Sequence, residues 1–160
     1  MSNLEVSIED QNGESQIYLS GDLTAEFTTY QKEILKEAKD KVRFFLGEIS
    51  SIDKDGAASW AELLTTLAEK SSIEFEEVNY ILLEEGCRNL EIFAHGEVVS
   101  FYLDLECEPC QKISSIKFSS AEAAEAALEK SGLFVCEVCN GQLDVIVEGI
   151  PAFLDYLKAQ

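Results

Sequence analysis

The chain has 160 residues and a formal net charge of −19, from 31 acidic and 12 basic side chains. Its hydrophobic fraction of 46% is normal for a globular protein and argues against a disordered chain. No apolar run approaches the roughly 18 residues that a membrane span requires. A field this negative repels phosphate backbones and anionic lipid, so the charge disfavours nucleic-acid and membrane-surface functions.

The amino terminus, residues 1–5, has neither a basic region nor an apolar core, so we expect no signal peptide and a cytoplasmic protein. The cytosol is reducing, and paired cysteines there are more often metal ligands than disulfides. The acidity itself has two interpretations that the composition leaves open. It can serve solubility alone, or it can attract a basic partner.

The first part of the chain predicts a hairpin, a helix and a central strand. Residues 6–8 and 16–19 alternate as short strands, and residues 10–13 form the turn between them. Thr24 is a predicted helix cap. The buried face of that helix has residues at helical spacing: Phe27, Tyr30, Ile34 and Ala38. The apolar run 42–46 is the best candidate for a central strand.

The middle of the chain continues this alternation of strands and helices. Residues 50–56 are polar and predict a loop, and a second helix is predicted from about Ala57 to Glu69. Residues 73–75 and 90–93 read as strands, with a third helix over residues 81–85 between them. Strands that alternate with helices imply parallel pairing and an α/β layer.

Two short motifs each lie directly before a predicted helix. Gly21-Asp22-Leu23 precedes the first helix, and Asp53-Lys54-Asp55-Gly56 lies between the third strand and the second helix. Their order and spacing resemble the STAS domain, which anti-sigma factor antagonists share with the tails of sulfate transporters. The resemblance covers residues 4–95. It implies an α/β fold with a mixed sheet and helices mainly on one face, and a bacterial signalling function.

The resemblance also implies which residues contact a partner: Asp22, Asp53, Lys54, Asp55 and Gly56. In that family the residue before the loop glycine is a serine or threonine that a partner kinase, itself an anti-sigma factor, phosphorylates. Here that residue is Asp55, which cannot accept phosphate as a stable ester. Its carboxylate either provides a fixed negative charge beside the second helix, where the helix dipole favours an anion, or simply caps that helix.

Four of the five cysteines form two pairs, Cys107 with Cys110 and Cys136 with Cys139. Two residues separate the thiols in each pair, so two tight turns can supply the four ligands of a tetrahedral Zn²⁺. Such a site has no open position for water or substrate, which predicts a structural metal. We expect zinc, and iron or reversibly oxidised thiols are less favoured alternatives.

The elements around these pairs complete a second predicted unit, residues 98–160, beside a first unit of residues 1–97. Residues 98–103 lead into the first pair and residues 113–118 return from it. An alanine-rich helix extends to Lys130, residues 142–147 leave the second pair, and Pro151 begins a last helix. The order resembles the zinc-ribbon tail of certain little-studied bacterial STAS-like proteins. We expect a zinc ribbon with an inserted helix.

The remaining reactive side chains favour no enzyme. The chain has a single histidine, His95, with no identifiable catalytic partner, and Cys87 is interpreted as a structural thiol. No phosphate-binding glycine loop or nucleophile elbow is present. The sequence therefore predicts a non-enzymatic module that binds a protein, with an anti-sigma kinase-like regulator as the partner class. A metal or redox protein with a functional sulfur site is the alternative.

Overall fold

Two β-sheets organise the chain in a computed structural model that describes residues 3–129, 134–146 and 148–160. The strands of the first sheet lie side by side in chain order: β1 (Glu5–Gln11), β2 (Glu14–Leu23), β3 (Lys41–Ile52), β4 (Ser72–Glu76) and β5 (Gly96–Val98). β1 and β2 form an antiparallel hairpin, whereas β2 to β5 are parallel. The sheet is therefore mixed, with the predicted central strand in the middle.

Helices α1 (Thr28–Glu37), α2 (Lys54–Ala68) and α3 (Tyr80–Arg88) connect these strands. The predicted cap at Thr24 is confirmed, because its hydroxyl accepts the N–H of Glu26 at 3.4 Å. That cap opens a short 3-10 helix, Ala25–Phe27, which runs directly into α1.

Alternate side chains of the strands point to the helices and form the core. Phe44 on β3 and Phe75 on β4 are fully buried, and both contact the ring of Trp60 on α2, at centroid distances of 4.8 and 6.0 Å. Burial of each such side chain contributes about 1.5–3 kcal/mol to folding. The opposite side, which we call the open face, carries half-buried Tyr18, Arg43, Phe45 and Glu74 with their strand neighbours. The prediction of an α/β mixed sheet with helices mainly on one face is confirmed.

The boundary between β3 and α2 corrects the predicted loop over residues 50–56. β3 continues to Ile52 and α2 begins at Lys54, so Asp53 alone separates them. Ser51 is still paired with β2. The polar residues here belong to the exposed end of a strand and the first turn of a helix, where polarity does not require a loop.

The strand predicted over residues 90–93 is also wrong, because Leu90–Phe93 is a short 3-10 helix. The side chain of Asn89 accepts the N–H of Glu91 at 3.2 Å and starts this turn. Ile92 and Phe93 are buried, so the apolar run reflects the core rather than a strand. An apolar run of four residues does not distinguish a strand from a buried helical turn. The strand that pairs with β4 is β5.

The second sheet contains the cysteine pairs. Its strands are β6 (Phe101–Cys107), β7 (Ile113–Phe118) and β8 (Leu143–Val145), and β6 lies in the middle. Helix α4 (Ala121–Glu129) follows β7, and α5 (Ile150–Lys158) ends the chain with Pro151 in its first turn. The insertion of a helix between the two pairs is thus confirmed. Residues 130 and 147, to which the sequence extends α4 and the last strand, lie outside the described residues.

The two units share one hydrophobic core. Phe153 on α5 contacts Phe93 of the first unit at 5.7 Å between ring centroids and Phe101 of the second at 6.0 Å. β5 ends at Val98 within the first sheet, one residue beyond the predicted boundary at residue 97. The division into residues 1–97 and 98–160 stays a prediction. In the described part of the chain, no helix combines the length and apolarity needed to cross a bilayer.

Candidate metal centre and interaction edge

The first cysteine pair lies in a tight turn at the end of β6. The N–H of Cys107 donates to the carbonyl of Lys112 at 2.9 Å, and the N–H of Gln111 donates to the carbonyl of Cys107 at 2.7 Å. Gln111 has a φ of 58°, in the left-handed region that few side chains adopt. This turn brings Cys110 back beside Cys107.

The second pair lies in a turn with the same pattern of backbone hydrogen bonds. The N–H of Cys136 donates to the carbonyl of Gly141 at 2.8 Å, and the N–H of Asn140 donates to the carbonyl of Cys136 at 2.8 Å. Asn140 also has a φ of 58°. Asparagine and glycine favour such a turn at Asn140-Gly141, whereas Gln111 adopts the same conformation without that local preference.

The two turns bring all four sulfurs together. Cys107 Sγ lies 3.4 Å from Cys139 Sγ, and Cys110 Sγ lies 3.5 Å from Cys136 Sγ. All four lie within 4.8 Å of one another. A tetrahedron of Zn–S bonds needs about 3.8 Å between its sulfurs, a spacing that this cluster brackets. The four thiols therefore fit one tetrahedral metal ion.

The local environment already distinguishes the thiols. The backbone N–H groups of Cys139 and Val138 donate to Cys136 and lower its pKa to about 6. The N–H of Cys110 lowers the pKa of Cys107, but burial and hydrogen bonds with the other three thiols outweigh it and raise that pKa to about 12. Thiolates this close repel one another, and a cation among them favours the ionised form of all four.

Half of the cluster is shielded from water. Cys107 and Cys136 are buried, whereas Cys110 and Cys139 are exposed. Gly141 of the second turn packs against the first: a Cβ there would lie 3.0 Å from Cys107 Sγ and 2.9 Å from Pro109 Cγ. A glycine is needed at this position because any side chain would push the two turns apart.

A second candidate site, the interaction edge, consists of Asp22, Asp53, Lys54, Asp55 and Gly56. The Asp53 carboxylate accepts the N–H of Gly56 at 2.6 Å and is the N-cap of α2. The alternative that Asp55 caps this helix is therefore wrong. Asp55 lies in the first turn of α2 and is exposed, as are Asp53 and Lys54. Its carboxylate is free to add negative charge at the positive end of the helix dipole.

Parallel pairing of β2 with β3 brings the two motifs of the edge together. Ser51 on β3 donates its hydroxyl hydrogen bond to the Asp22 carboxylate at 2.7 Å. A Cβ on Gly56 would lie 2.0 Å from the carbonyl oxygen of Leu23, so only glycine lets α2 begin this close to β2. Asn3 accepts the N–H of Asp22 at 3.0 Å. The roles of Ser51 and Asn3 depend on strand register, which a single sequence does not reveal.

The other reactive side chains lie away from both sites. His95 is exposed and has a left-handed backbone conformation with a φ of 65°. Cys87 is half-buried on α3, and burial followed by the nearby Glu84 carboxylate raises its pKa. A raised pKa keeps this thiol protonated and inert at neutral pH.

Comparison with known proteins yields a distant structural likeness. No protein-family model matches the sequence, and no curated protein matches it. The chain is similar to a crystal structure of an anti-sigma factor antagonist from Mycobacterium paratuberculosis, with a TM-score of 0.47 and 11% identity. The alignment covers 52% of this chain and 75% of that chain. Likeness at this level identifies neither family nor activity, and the α/β assignment depends on the strand order and pairing described above.

Proposed function

We propose that this protein is a non-enzymatic regulatory module that recognises a protein partner through the interaction edge. The observation that supports it best is the exposed start of α2, where Asp53, Lys54 and Asp55 face solvent beside Asp22. The motifs that resemble the STAS domain lie at the same edge. An anti-sigma kinase-like regulator in a bacterial cytoplasm is the partner class that this resemblance favours.

Asp55 is central to the proposal because it occupies the position of the phosphorylated residue in the family that the motifs resemble. A carboxylate supplies one permanent negative charge where a phosphoserine would supply nearly two that can be removed. We infer that recognition at this edge is permanently set rather than switched by a kinase. The free carboxylate supports this inference, since capping is already performed by Asp53.

The proposed role of the metal is structural, and we propose zinc as the resident ion. Cys107, Cys110, Cys136 and Cys139 would occupy all four positions of a tetrahedral ion and leave none for substrate. When bound, the ion would neutralise thiolate charge and hold the two turns together. Elemental analysis of protein purified without added metal tests this: we expect one zinc per chain, and stoichiometric iron would favour the alternative of a functional metal centre.

Partner recognition is tested by affinity purification of the tagged protein from its native host with quantitative mass spectrometry. A partner bound at the edge is recovered with the wild type and lost with Asp55→Lys. Glu69→Lys is the matched control, because it makes the same charge change at an exposed residue beyond the other end of α2. A partner that both variants lose, or that neither loses, would contradict recognition through Asp55.

A further inference from the structure

The open face of the five-stranded sheet is strongly acidic. By strand alternation and register, eight carboxylates lie on it: Glu5, Glu9, Glu14, Asp22, Glu48, Glu74, Glu76 and Glu97. The basic side chains there are Lys41 and Arg43, which leaves the face at a net charge of −6. Glu5 and Glu97 are exposed and form no ion pair within the described residues. Negative charge on this face is therefore in excess.

An aromatic pair lies at the centre of this acidic face. Tyr18 on β2 and Phe45 on β3 stack with their ring centroids 4.4 Å apart and their planes 10° from parallel. Both side chains are half-buried, so part of each ring remains accessible to solvent. Burial, and then the nearby carboxylates of Glu9 and Glu77, raise the pKa of the Tyr18 phenol.

The face already binds one guanidinium group, that of its own Arg43. Its Nη2 lies 2.8 Å from Glu74 and its Nη1 lies 3.5 Å from Glu76. Arg43 lies on the same strand as Phe45, two residues before it, so both side chains are on the same face of the sheet. The face thus combines, within the reach of one side chain, planar aromatic surface and carboxylates in the arrangement that guanidinium groups prefer.

Among the residues that the structure describes, the hydrogen bonds, ion pairs and ring contacts of the Tyr18, Phe45, Arg43 and Glu74 side chains stay within this face. Helices α1 and α2 pack on the other side of the sheet. An unpartnered sheet face with an aromatic centre and a charged rim has the anatomy of a protein interface. Aromatic side chains on sheets also stack nucleobases, but those surfaces are basic, and a face of net charge −6 repels phosphate.

We propose that the open face docks an arginine-containing basic segment of a partner protein. A guanidinium of that segment stacks on the Tyr18–Phe45 pair, and neighbouring basic side chains pair with the rim carboxylates Glu5, Glu9 and Glu97. The residues proposed to contact this segment, Tyr18, Phe45 and the three rim carboxylates, are not residues of the interaction edge. The two surfaces would let the protein bind two partners, or two segments of one partner.

The test uses a synthetic octa-arginine peptide as the probe, titrated into the full chain and followed by calorimetry and by amide NMR shifts. We expect the largest shifts in β2, β3 and β4. The double variant Tyr18→Leu/Phe45→Leu should weaken binding about tenfold, because it removes the stacking surface without changing any charge. The matched control Tyr30→Leu replaces another half-buried tyrosine, on α1 at the other side of the sheet, and should change the affinity by less than about twofold.

An octa-lysine peptide separates stacking from simple charge attraction, since an ammonium group stacks on aromatic rings less well than a guanidinium. Weaker binding of octa-lysine supports the proposal, whereas equal binding of both peptides, or unchanged affinity in the double variant, overturns it. Should the double variant fail to fold, Glu9→Gln/Glu97→Gln replaces it, and unchanged octa-arginine affinity there also overturns the proposal. A concentration-dependent dimer that Tyr18→Leu abolishes would assign the face to a second copy of this chain instead.

Discussion

The two predicted units of this molecule, each built on one of the two β-sheets, differ in what stabilises them. The five-stranded sheet with α1 and α2 buries large aromatic side chains, among them Trp60, Phe44 and Phe75, at 1% exposure or less. The three-stranded sheet has short strands, and three of the four large hydrophobic side chains exposed in the described residues belong to it or to the second cysteine turn: Ile113, Val135 and Val138. The four cysteine sulfurs cluster at the end of this sheet.

The difference indicates what each unit depends on. A wide sheet with a covered face gains stability from buried area, whereas a small sheet gains too little and needs a metal or a larger neighbour. The second unit has both, since its sulfurs fit an ion and its Phe101 contacts the shared core through Phe153. Removal of a metal ligand and truncation of Phe153 separate the contribution of the metal from that of the shared core.

The largest expected effect comes from removal of one sulfur. Cys107→Ser should abolish stoichiometric metal binding and disorder the second unit, because metal binding in small zinc peptides contributes about 10–16 kcal/mol of apparent free energy. Amide NMR signals of β1 to β4 should remain dispersed. Elemental analysis and an NMR spectrum of the purified variant measure both outcomes.

Cys87→Ser is the control for this variant, since Cys87 lies on α3 outside the cluster. It should leave the metal content unchanged. A Cys107→Ser protein that retains one metal ion per chain, or that retains the NMR signals of β6 to β8 without metal, would contradict a structural ion.

The second largest effect should come from Phe153→Ala, at the junction of the units. Phe153 is 1% exposed, and truncation of a buried phenylalanine costs about 3–5 kcal/mol. With the metal in place, we expect urea unfolding of the variant to split into two transitions, because the ring that joins Phe93 to Phe101 is gone.

Leu90→Ala provides the comparison, because Leu90 is 42% exposed and its truncation should cost less than about 0.5 kcal/mol. A single cooperative transition in Phe153→Ala, with the midpoint of the wild type, would show that the shared core does not couple the units.

The same contrast between units decides what the sequence could predict. Alternation along β2, the apolar run at residues 42–46 and the helical spacing of Phe27, Tyr30 and Ile34 predict the sheet and its first helix, because the pattern of burial is regular there. The cysteine spacing predicts the sulfur cluster because the turn is local. The 3-10 helix Leu90–Phe93 and the conformation of Gln111 were not predictable, since tertiary packing and metal geometry, rather than local preference, determine them.

The interaction edge offers a smaller test, in which stability distinguishes two neighbouring carboxylates. Asp53→Ala should cost about 1 kcal/mol, because it leaves the N–H of Gly56 without its cap. Asp55→Ala should cost less, about 0.3–1 kcal/mol, since only a favourable interaction with the helix dipole is lost. Urea unfolding of both variants measures the difference. A larger loss for Asp55→Ala would reverse the assignment of the cap and weaken the view that Asp55 is available to a partner.

The smallest effect concerns the open face and its dependence on pH. Burial raises the pKa of Glu74, but Lys41 and Arg43 more than offset it, so the pKa lies below the ordinary value of 4.5. A carboxyl group with a lowered pKa in the folded state stabilises the protein above the pKa of the unfolded chain and loses that contribution as pH falls through the folded value. The contribution should stay below about 1 kcal/mol, since the ion pairs are partly exposed.

Arg43→Met isolates this contribution, because it removes the guanidinium and retains the aliphatic stem on the sheet. Between roughly pH 5 and pH 3, the range in which glutamate ordinarily titrates, the wild type should lose more stability than this variant. Urea unfolding at several pH values, at low and high salt, measures the difference. Parallel pH profiles would mean that Arg43 does not stabilise the ionised form of Glu74. The contact between Arg43 and Glu74 would then no longer support guanidinium binding on the open face.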